Sequence, residues 1–282
     1  MSIPRQTAKR ALRGVGLGFL VDARRAWIER RASAGSGVDR AALAQAYLRG
    51  EGLEIGALHT PIPVPAGVMV RFVDLFSRAD NIERFPDLPA SEIIEPDVLE
   101  DGFELRSIPT GSQDFVIASH VLEHSPNPIG VLQNWSRVTR AGGVLYVIVP
   151  IAESCFDAGR EATTLAHWVE DAALYARGDR AAIRERNRLH YLEWIRISER
   201  RIFEDQGHAF DPPSEEAVEM RLAELLDAEV EIHFHTFSEA SFRELLEHFC
   251  RERRPGSRLV DLRASDNEVV GVVELAGPAA SR

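Results

Sequence analysis

Five short segments between residues 50 and 150 of the 282-residue chain are mostly apolar and are separated by turn residues. Such segments are typical of strands that are buried on both faces of a sheet. A helical pattern from Pro128 to Thr139 leads to a glycine pair at which the helix is expected to stop. Because strands that alternate with crossovers form parallel sheets, the region is predicted to be an α/β core. We predict its strands at Gly52 to Gly56, Met69 to Asp74, Glu92 to Ile94, Asp114 to Ser119 and Val144 to Val149.

The pattern changes after residue 150. Residues 151–228 are helical in character and rich in charged residues, especially arginine, so we interpret them as a helical insertion or lid. Glu229 to His235 then alternates like a strand, and Thr236 to Glu239 has the spacing of a capping box. Residues 229–282 are predicted to complete the core that residues 50–150 begin. They are expected to supply a helix and a hairpin. The apolar face of the helix consists of Phe242, Leu245, Leu246 and Phe249. The two strands of the hairpin are Arg258 to Leu262 and Glu268 to Leu275.

A basic segment precedes this core. Residues 1–40 hold nine basic and three acidic residues, although the whole chain has a net charge of −11. We predict that residues 1–49 form a basic helical arm, whose last helix runs from Asp39 to Arg49 and is capped by Asp39. An arm of this kind could make weak contact with an anionic membrane surface.

Composition limits the classes of function. The net charge of −11 argues against nucleic acid as a partner, and no apolar stretch approaches the ~20 residues of a membrane span. Cys155 and Cys250 lack CxxC spacing, so neither a zinc knuckle nor a disulfide scaffold is predicted, and Cys155 is expected to be inert. We expect a cytoplasmic protein. The sequence does not indicate an oligomeric state.

Two ordered motifs carry a family resemblance. Ser112 to His124 reads S-x-D-x-V-x-x-x-x-V-L-E-H, and Gly142-Gly143-Val144-Leu145 follows at the separation of the next strand. Together they resemble the fourth and fifth strands of small-molecule class I methyltransferases, which use S-adenosylmethionine. In the first strand, Glu54 and Gly56 match the acidic residue and the first glycine of that family's G-x-G-x-G motif. Leu58 and Thr60 occupy the later glycine positions.

The resemblance also marks a divergent branch. Pro61, Pro63 and Pro65 stand where the first crossover helix should begin, and proline inside a helix costs ~3 kcal/mol, so this segment is predicted to be extended. The Glu54-Ile55-Gly56 variant with its proline run resembles a branch associated with bacterial surface-polysaccharide modification.

The resemblance implies a Rossmann-like, doubly wound and mainly parallel sheet with a C-terminal antiparallel hairpin and a helical insertion. It implies S-adenosylmethionine as the cofactor. Asp74 follows Glu54 by 20 residues, the position at which a carboxylate binds ribose hydroxyls in nucleotide-binding α/β folds. The full set of cofactor-binding residues that we predict is Glu54, Gly56, Ala57, Asp74, Leu75, Asp101, Gly102 and Ser119.

Methyl transfer needs a base only when the acceptor must lose a proton. His120 is the first candidate, because a neutral imidazole works near pH 7, and Glu123 and His124 are the second. The alternative is that these side chains cap the next helix or bind backbone.

Other polar residues leave alternatives open. His233 and His235 lie on one face of a predicted strand, but no third ligand is identifiable, so packing or hydrogen bonding is favoured and no metal site is predicted. A group of residues in the insertion suits either an acceptor-facing lid or docking on the sheet: His190, Tyr191, Glu193 and Trp194.

Three functions are compatible with these patterns. The first is methyl transfer to a small-molecule or saccharide-like acceptor, in surface-polysaccharide modification. The second is a methyltransferase-like binding or scaffold protein that has lost the cofactor together with the loop glycines. The third is hydrolysis at a histidine-rich metal site. The acceptor itself has no motif in the sequence.

Overall fold

The computed structural model describes residues 37–277. Most of the predicted basic arm, residues 1–36, therefore lies outside the described residues. The strands are β1 (Glu51–Ile55), β2 (Met69–Asp74), β3 (Val98–Leu99), β4 (Gln113–Ser119), β5 (Thr139–Pro150), β6 (Arg258–Ala264) and β7 (Glu268–Glu274). They form one sheet with the order β3-β2-β1-β4-β5-β7-β6.

The first five strands are parallel, and β7 is antiparallel to both of its neighbours. The predicted Rossmann-like α/β fold with a C-terminal antiparallel hairpin is thus confirmed. Helices surround the sheet: α1 (Arg40–Tyr47), α2 (Arg78–Arg84), α3 (Pro128–Val138), α4 (Leu165–Arg177), α5 (Arg180–Glu193), α6 (Arg200–Asp205), α7 (Glu215–Ala228) and α8 (Glu239–His248).

Local sequence explains where these helices begin and end. The Asp39 carboxylate accepts the Ala42 N–H at 2.8 Å and caps α1, as predicted. Asn127 caps α3, whose first residue is Pro128, a position at which the missing N–H of proline is not needed. A π-helical stretch, Trp194–Glu199, joins α5 to α6. Two short 3-10 turns, Leu122–His124 and Ala152–Ser154, follow β4 and β5.

Three apolar clusters stabilise this arrangement. On one face of the sheet, Leu53 and Val116 pack with Trp135 of α3 and with α8. On the other face, Ile117 and Tyr146 pack against α1 and the segment that follows β1. The third cluster lies among α5, α7 and the chain before α8. Within residues 37–277, no helix combines the length and the apolar character needed to span a bilayer.

Two predicted strands are wrong. Glu92 to Ile94 forms a turn and a bend between two prolines, and the third strand comes later, at Val98–Leu99. The Ile94 N–H donates to the Leu58 carbonyl and the Ile93 carbonyl accepts from Arg78, so neither group pairs in the sheet. Ile93 is buried, which explains why the segment has an apolar pattern.

The residues from 229 to 235 also form no strand. Side chains and a distant turn satisfy their backbone groups: Val230 O accepts from the Tyr191 hydroxyl, and the Phe234 and His235 N–H groups donate to the Glu123 carbonyl. The alternating pattern arises because this segment is buried between the helical insertion and the 3-10 turn after β4.

The start of α8 differs from the prediction by two residues. The capping residue is Ser238 rather than Thr236, and Ser241 rather than Glu239 completes the capping box. The Thr236 hydroxyl instead donates to the Glu161 carbonyl, because the chain is still extended there. The glycine pair at which we expected α3 to stop lies within β5, since the strand begins at Thr139.

Gly52 lies so close to the neighbouring strand that a side chain does not fit. A Cβ atom there would lie 2.4 Å from the carbonyl oxygen of Phe115 and 2.4 Å from its ring. We expect Gly52→Ala to lower the free energy of unfolding by about 1–3 kcal/mol, because overpacking forces backbone shifts. Denaturant unfolding measures this change. Gly277→Ala is the control, since its Cβ atom would make an ordinary contact of 3.7 Å with Ala141 and should change stability by less than about 0.5 kcal/mol. Equal losses in the two variants would contradict the prediction.

Candidate active site

A pocket lies at the carboxyl ends of β1, β2 and β4, where the strand order reverses between β1 and β4. In open α/β sheets ligands bind at this position. The pocket encloses about 710 Å³ of space free of protein atoms, part of it open to solvent. The predicted site residues that line it are Gly56, Asp74, Leu75, Asp101, Gly102, His120 and His124.

The Asp74 carboxylate ends β2 and lines the pocket. One oxygen accepts the Phe76 N–H at 2.9 Å, and the other accepts the side-chain amide of Asn81 at 3.2 Å. These two bonds orient the carboxylate at the edge of the pocket. The prediction that Asp74 binds ribose hydroxyls stays a prediction.

Two glycines let the backbone approach closely at this pocket. Gly56 has a φ of 65°, and its N–H donates to the Val73 carbonyl at 2.9 Å. A Cβ atom at Gly102 would lie 2.4 Å from the Ile55 side chain, so this loop packs directly on the end of β1. Leu58 also lines the pocket and has a φ of 51°. Leu58 therefore adopts the left-handed backbone conformation that glycine adopts without strain.

The Glu54 side chain does not line the pocket. It points to the opposite face of the sheet, where both carboxylate oxygens lie within 3.2 Å of the Ile62 N–H. Burial raises the pKa of Glu54 to about 8, an effect that the hydrogen bond from Ile62 and the charge of Arg40 reduce only in part. Glu54 therefore holds the proline-rich segment against the sheet. Residues 61–65 form no helix, as expected.

His120 is held at the end of β4 by a buried carboxylate. Its φ is 57°, and its Nε2 atom lies 3.2 Å from Glu268 Oε2. Glu268 also accepts from Arg40 Nε at 2.6 Å. Burial raises the pKa of Glu268, but the hydrogen bonds from His120 and Arg40 outweigh burial and lower the pKa to about 2. Because Glu268 is a carboxylate at neutral pH, we assign a proton to the His120 Nε2 atom that faces it.

Glu123 and His124 lie in the 3-10 turn that follows His120. A Glu123 carboxylate oxygen lies 3.6 Å from His120 Nδ1, and the side chain is fully buried. His124 lines the pocket, and its Nδ1 atom lies 3.5 Å from a carboxylate oxygen of Glu231. All three predicted catalytic side chains therefore lie together, and their catalytic roles stay predictions.

Two other predicted residues, Ala57 and Ser119, do not line the pocket. Conversely, several residues that line the pocket were not predicted, although the sequence contains a signal for some of them. Phe76 and Phe103 follow Asp74 and Asp101 by two positions, and ligand pockets are commonly lined by aromatic side chains beside a few polar groups. The pocket residues that we did not predict are Ile55, Leu58, Val73, Phe76, Asn81, Arg84, Phe85, Phe103, Val121 and Glu231.

The aromatic residues of the insertion pack inside the protein. Tyr191 and Trp194 are buried in the third apolar cluster, and the Tyr191 hydroxyl donates to the Val230 carbonyl at 2.7 Å. His190 is also buried, and Glu193 forms an ion pair with Arg160. These residues therefore pack within the insertion and against the chain before α8 rather than on the sheet, and they do not line the pocket.

His233 and Cys155 belong to a buried polar network beside the pocket. His233 Nδ1 lies 2.6 Å from Asp157 Oδ2, and Arg160 binds the other oxygen of Asp157 at 2.8 Å. Burial raises the pKa of the Cys155 thiol well above its usual range, and the neighbouring Asp157 raises it further. The thiol is therefore protonated at neutral pH, as expected for an inert cysteine.

The pocket fits the nucleoside part of S-adenosylmethionine. A carboxylate ends β2, two glycines allow close approach of the backbone, and Leu75, Phe76 and Phe103 provide apolar walls. The usual helix after β1 is missing. A sulfonium cofactor carries no phosphate, however, so it does not require the positive end of a helix dipole.

Comparison with known proteins supports this interpretation. Residues 78–147, about a quarter of the chain, match the family model of the methyltransferase domain. The matched segment runs from α2 into β5 and contains Asp101, His120 and His124. This segment is therefore similar to a methyltransferase domain. None of the curated proteins matches the chain.

Solved structures with a similar arrangement have low sequence identity. A SAM-dependent methyltransferase from Aquifex aeolicus is 11% identical over 98% of this chain and 100% of that chain, with a TM-score of 0.39. One from Methanosarcina mazei is 17% identical over 83% of this chain and 96% of that chain, with a TM-score of 0.38. The CurJ carbon methyltransferase is 15% identical over 81% of this chain and 49% of that chain, with a TM-score of 0.37. The chain thus spans about half the length of the CurJ chain.

The raised pKa of Glu54 makes stability depend on pH. Because this pKa is about 8 in the folded protein and ordinarily 4.5, the folded state keeps a proton between these values that the unfolded state has released. The free energy of unfolding should therefore fall as pH rises through this range, by up to about 1.4 kcal/mol per pH unit. Glu54→Gln retains an acceptor for the Ile62 N–H but cannot ionise, so it should flatten the slope. Urea unfolding at a series of pH values measures the slope.

The control for this measurement is Glu216→Gln, which replaces an exposed carboxylate on α7 and should keep the wild-type slope. A slope in Glu54→Gln identical to that of the wild type would contradict the assignment.

Proposed function

We propose that this protein transfers a methyl group from S-adenosylmethionine to a small-molecule acceptor in the pocket at the ends of β1, β2 and β4. The observation that carries the proposal is the placement of Asp74, Gly102 and His120 around one pocket. The methyltransferase domain match supports it independently, since the matched segment contains Gly102 and His120.

Each wall of the pocket takes a separate role in cofactor binding. Asp74 would accept hydrogen bonds from the ribose hydroxyls, and Asp101 with Gly102 would hold the adenine. Leu75, Phe76 and Phe103, which line the pocket, would supply apolar surface and exclude water. Bound in this way, the cofactor supplies an activated methyl group on its sulfonium. The protein contributes mainly by positioning the reactants and excluding water.

His120 acts as the base when the acceptor must lose a proton. Glu268 holds the protonated Nε2 atom, so the lone pair of Nδ1 is the one that accepts the proton. A carboxylate that orients an imidazole also stabilises the imidazolium that forms. Glu268 is therefore a positioning residue for His120.

For the acceptor we propose a saccharide-like molecule with several hydroxyl groups. Arg84, His124 and Glu231 line the pocket and combine hydrogen-bond donors with acceptors, a combination that suits hydroxyl groups. The proline-rich segment after Glu54, which resembles that of the polysaccharide-modifying branch, supports a role in surface-polysaccharide modification.

Removing the Asp74 carboxylate should weaken cofactor binding. The full chain is titrated with S-adenosylhomocysteine in a calorimeter, and we expect saturable binding whose Kd rises by about 10-fold or more in Asp74→Ala, because hydrogen bonds to a charged group contribute about 1.5–3 kcal/mol. Asp211→Ala, which removes an exposed carboxylate outside the pocket, should retain the wild-type Kd. No detectable heat with the wild-type protein would overturn the proposal and favour a scaffold protein that has lost the cofactor.

Replacing His120 should affect turnover more than binding. With S-adenosylmethionine and a panel of mono- and oligosaccharides, we expect His120→Asn to lower kcat by about 10²–10⁴-fold, the usual contribution of a general base. The Kd for S-adenosylhomocysteine should change far less. His208→Asn, which replaces an exposed histidine outside the pocket, is the control. If His120→Asn kept the wild-type kcat, His120 would not be the base. The proposed cofactor site would not be affected by that result.

A further inference from the structure

Three imidazoles and one carboxylate meet inside the helical part of the protein, away from the pocket lining. His167 and Asp171 lie one turn apart on α4, His190 lies near the end of α5, and His235 lies in the chain before α8. Each side chain offers one atom that could bind a metal, and these four atoms all lie within 4.8 Å of one another.

The distances within this cluster match a tetrahedral metal site. Asp171 Oδ2 lies 3.1 Å from His167 Nε2, 3.6 Å from His235 Nε2 and 3.9 Å from His190 Nε2. The Nε2 atoms of His167 and His190 are 3.3 Å apart. Zinc bonds of about 2.0–2.1 Å in tetrahedral geometry place the ligand atoms about 3.3–3.4 Å apart. The four atoms therefore surround a space of the right size for one ion.

The polar atoms of the cluster lack the hydrogen bonds that burial normally requires. Asp171 and His235 are fully buried and His190 is 4% exposed. Within residues 37–277, His235 Nε2 and Asp171 Oδ2, the two atoms that face each other in the cluster, make no hydrogen bond of good geometry. Buried polar groups are almost always paired, and unpaired ones require an explanation such as a bound ion. A metal ion would satisfy His235 Nε2 and Asp171 Oδ2 at once.

Arg186 supports the same geometry from outside the cluster. Its Nε atom lies 3.0 Å from Asp171 Oδ1, the oxygen that faces away from the histidines. Ligating carboxylates in metal sites are usually held in this way by a second polar group. Arg186 is therefore a positioning residue for Asp171.

The other two groups of metal-ligating side chains differ from this one. Both include His233, whose Nδ1 atom is already bonded to Asp157. Asp157 in turn accepts from Arg160 and from the Ser198 hydroxyl. In both groups, the Nδ1 atom of His233 is thus already engaged by a protein partner.

We propose that His167, Asp171, His190 and His235 bind one Zn²⁺ ion in a closed structural site. Three imidazoles and a carboxylate suit a borderline transition metal rather than Ca²⁺ or Mg²⁺, which prefer oxygen ligands. Four protein ligands complete the tetrahedral shell of zinc and leave no open position for a substrate, which distinguishes a structural site from a catalytic one.

The site would connect the insertion to the candidate active site. The Phe234 and His235 N–H groups donate to the carbonyl of Glu123, which lies in the turn after His120. An ion on His235 therefore fixes α4 and α5 against the chain that supports this turn. The proposal departs from our prediction of no metal. A third ligand was not identifiable from the sequence, because the ligands come from three separate segments of the chain.

The test measures metal in the full chain after removal of any affinity tag. Elemental analysis of the purified protein should find one zinc per chain. After zinc is removed with a chelator, the protein should bind Co²⁺ with the intense visible absorption of tetrahedral coordination, and added Zn²⁺ should abolish that absorption. Zn²⁺ should also raise the Tm of the metal-free protein, because it binds the folded state.

His167→Ala is the decisive variant, because the His167 side chain is 30% exposed and its removal is the least damaging to the fold. We expect this variant to lose the tetrahedral Co²⁺ spectrum. Loss of a residue that only positions a ligand lowers metal affinity by about 10–100-fold, and loss of the His167 ligand should lower the affinity for Zn²⁺ by more than that. Arg186→Met should show that smaller loss of affinity. His208→Ala, which removes an exposed histidine outside the cluster, should bind zinc like the wild type.

Two results would overturn the proposal. One is a wild-type protein that takes up neither Zn²⁺ nor Co²⁺. The other is a folded His167→Ala variant that binds zinc as tightly as the His208→Ala control. These measurements do not depend on methyl transfer, so failure of the metal site and failure of the proposed function are distinguishable.

Discussion

The ion pairs of one buried carboxylate hold the candidate active site together. Glu268, the first residue of β7, binds Arg40 of α1 and His120 at the end of β4. Breaking a buried pair by removing one partner costs about 3–5 kcal/mol, because the remaining charge stays buried. The position of His120 therefore depends on parts of the chain that are 228 residues apart in sequence. The C-terminal hairpin and the first described helix thus contribute to a site that neither of them lines.

The strands of the sheet could be predicted where a continuous apolar run in the sequence is also a strand buried on both faces. β4 and the central part of β5 are buried on both faces, so their continuous apolar runs identified them. The same reasoning failed at Ile93 and at the residues from 229 to 235. These segments are as buried as strands, but their backbone groups bond to loops and side chains. An apolar pattern reports burial, whereas a strand also requires a neighbouring edge that the sequence does not specify.

The site was predictable where residues follow directly from a strand end. Asp74, Gly56 and His120 each stand at the end of a parallel strand, and topology brings such positions together. Glu54 shows the limit of this rule: it is one residue before Ile55, which lines the pocket, and the alternation of side chains along a strand places it on the opposite face. Arg40 and Glu268 could not be predicted, since their pairing spans almost the whole fold.

Leu58 shows that a loop can hold a left-handed backbone conformation without a glycine. With a φ of 51°, it holds a conformation that disfavours a branched aliphatic side chain, while the surrounding loop supplies the restraint that a glycine would not need. A search for glycine spacing alone would pass over such a loop. The backbone dihedral angles of the loop after the first strand therefore describe its shape better than the residue types at its positions do.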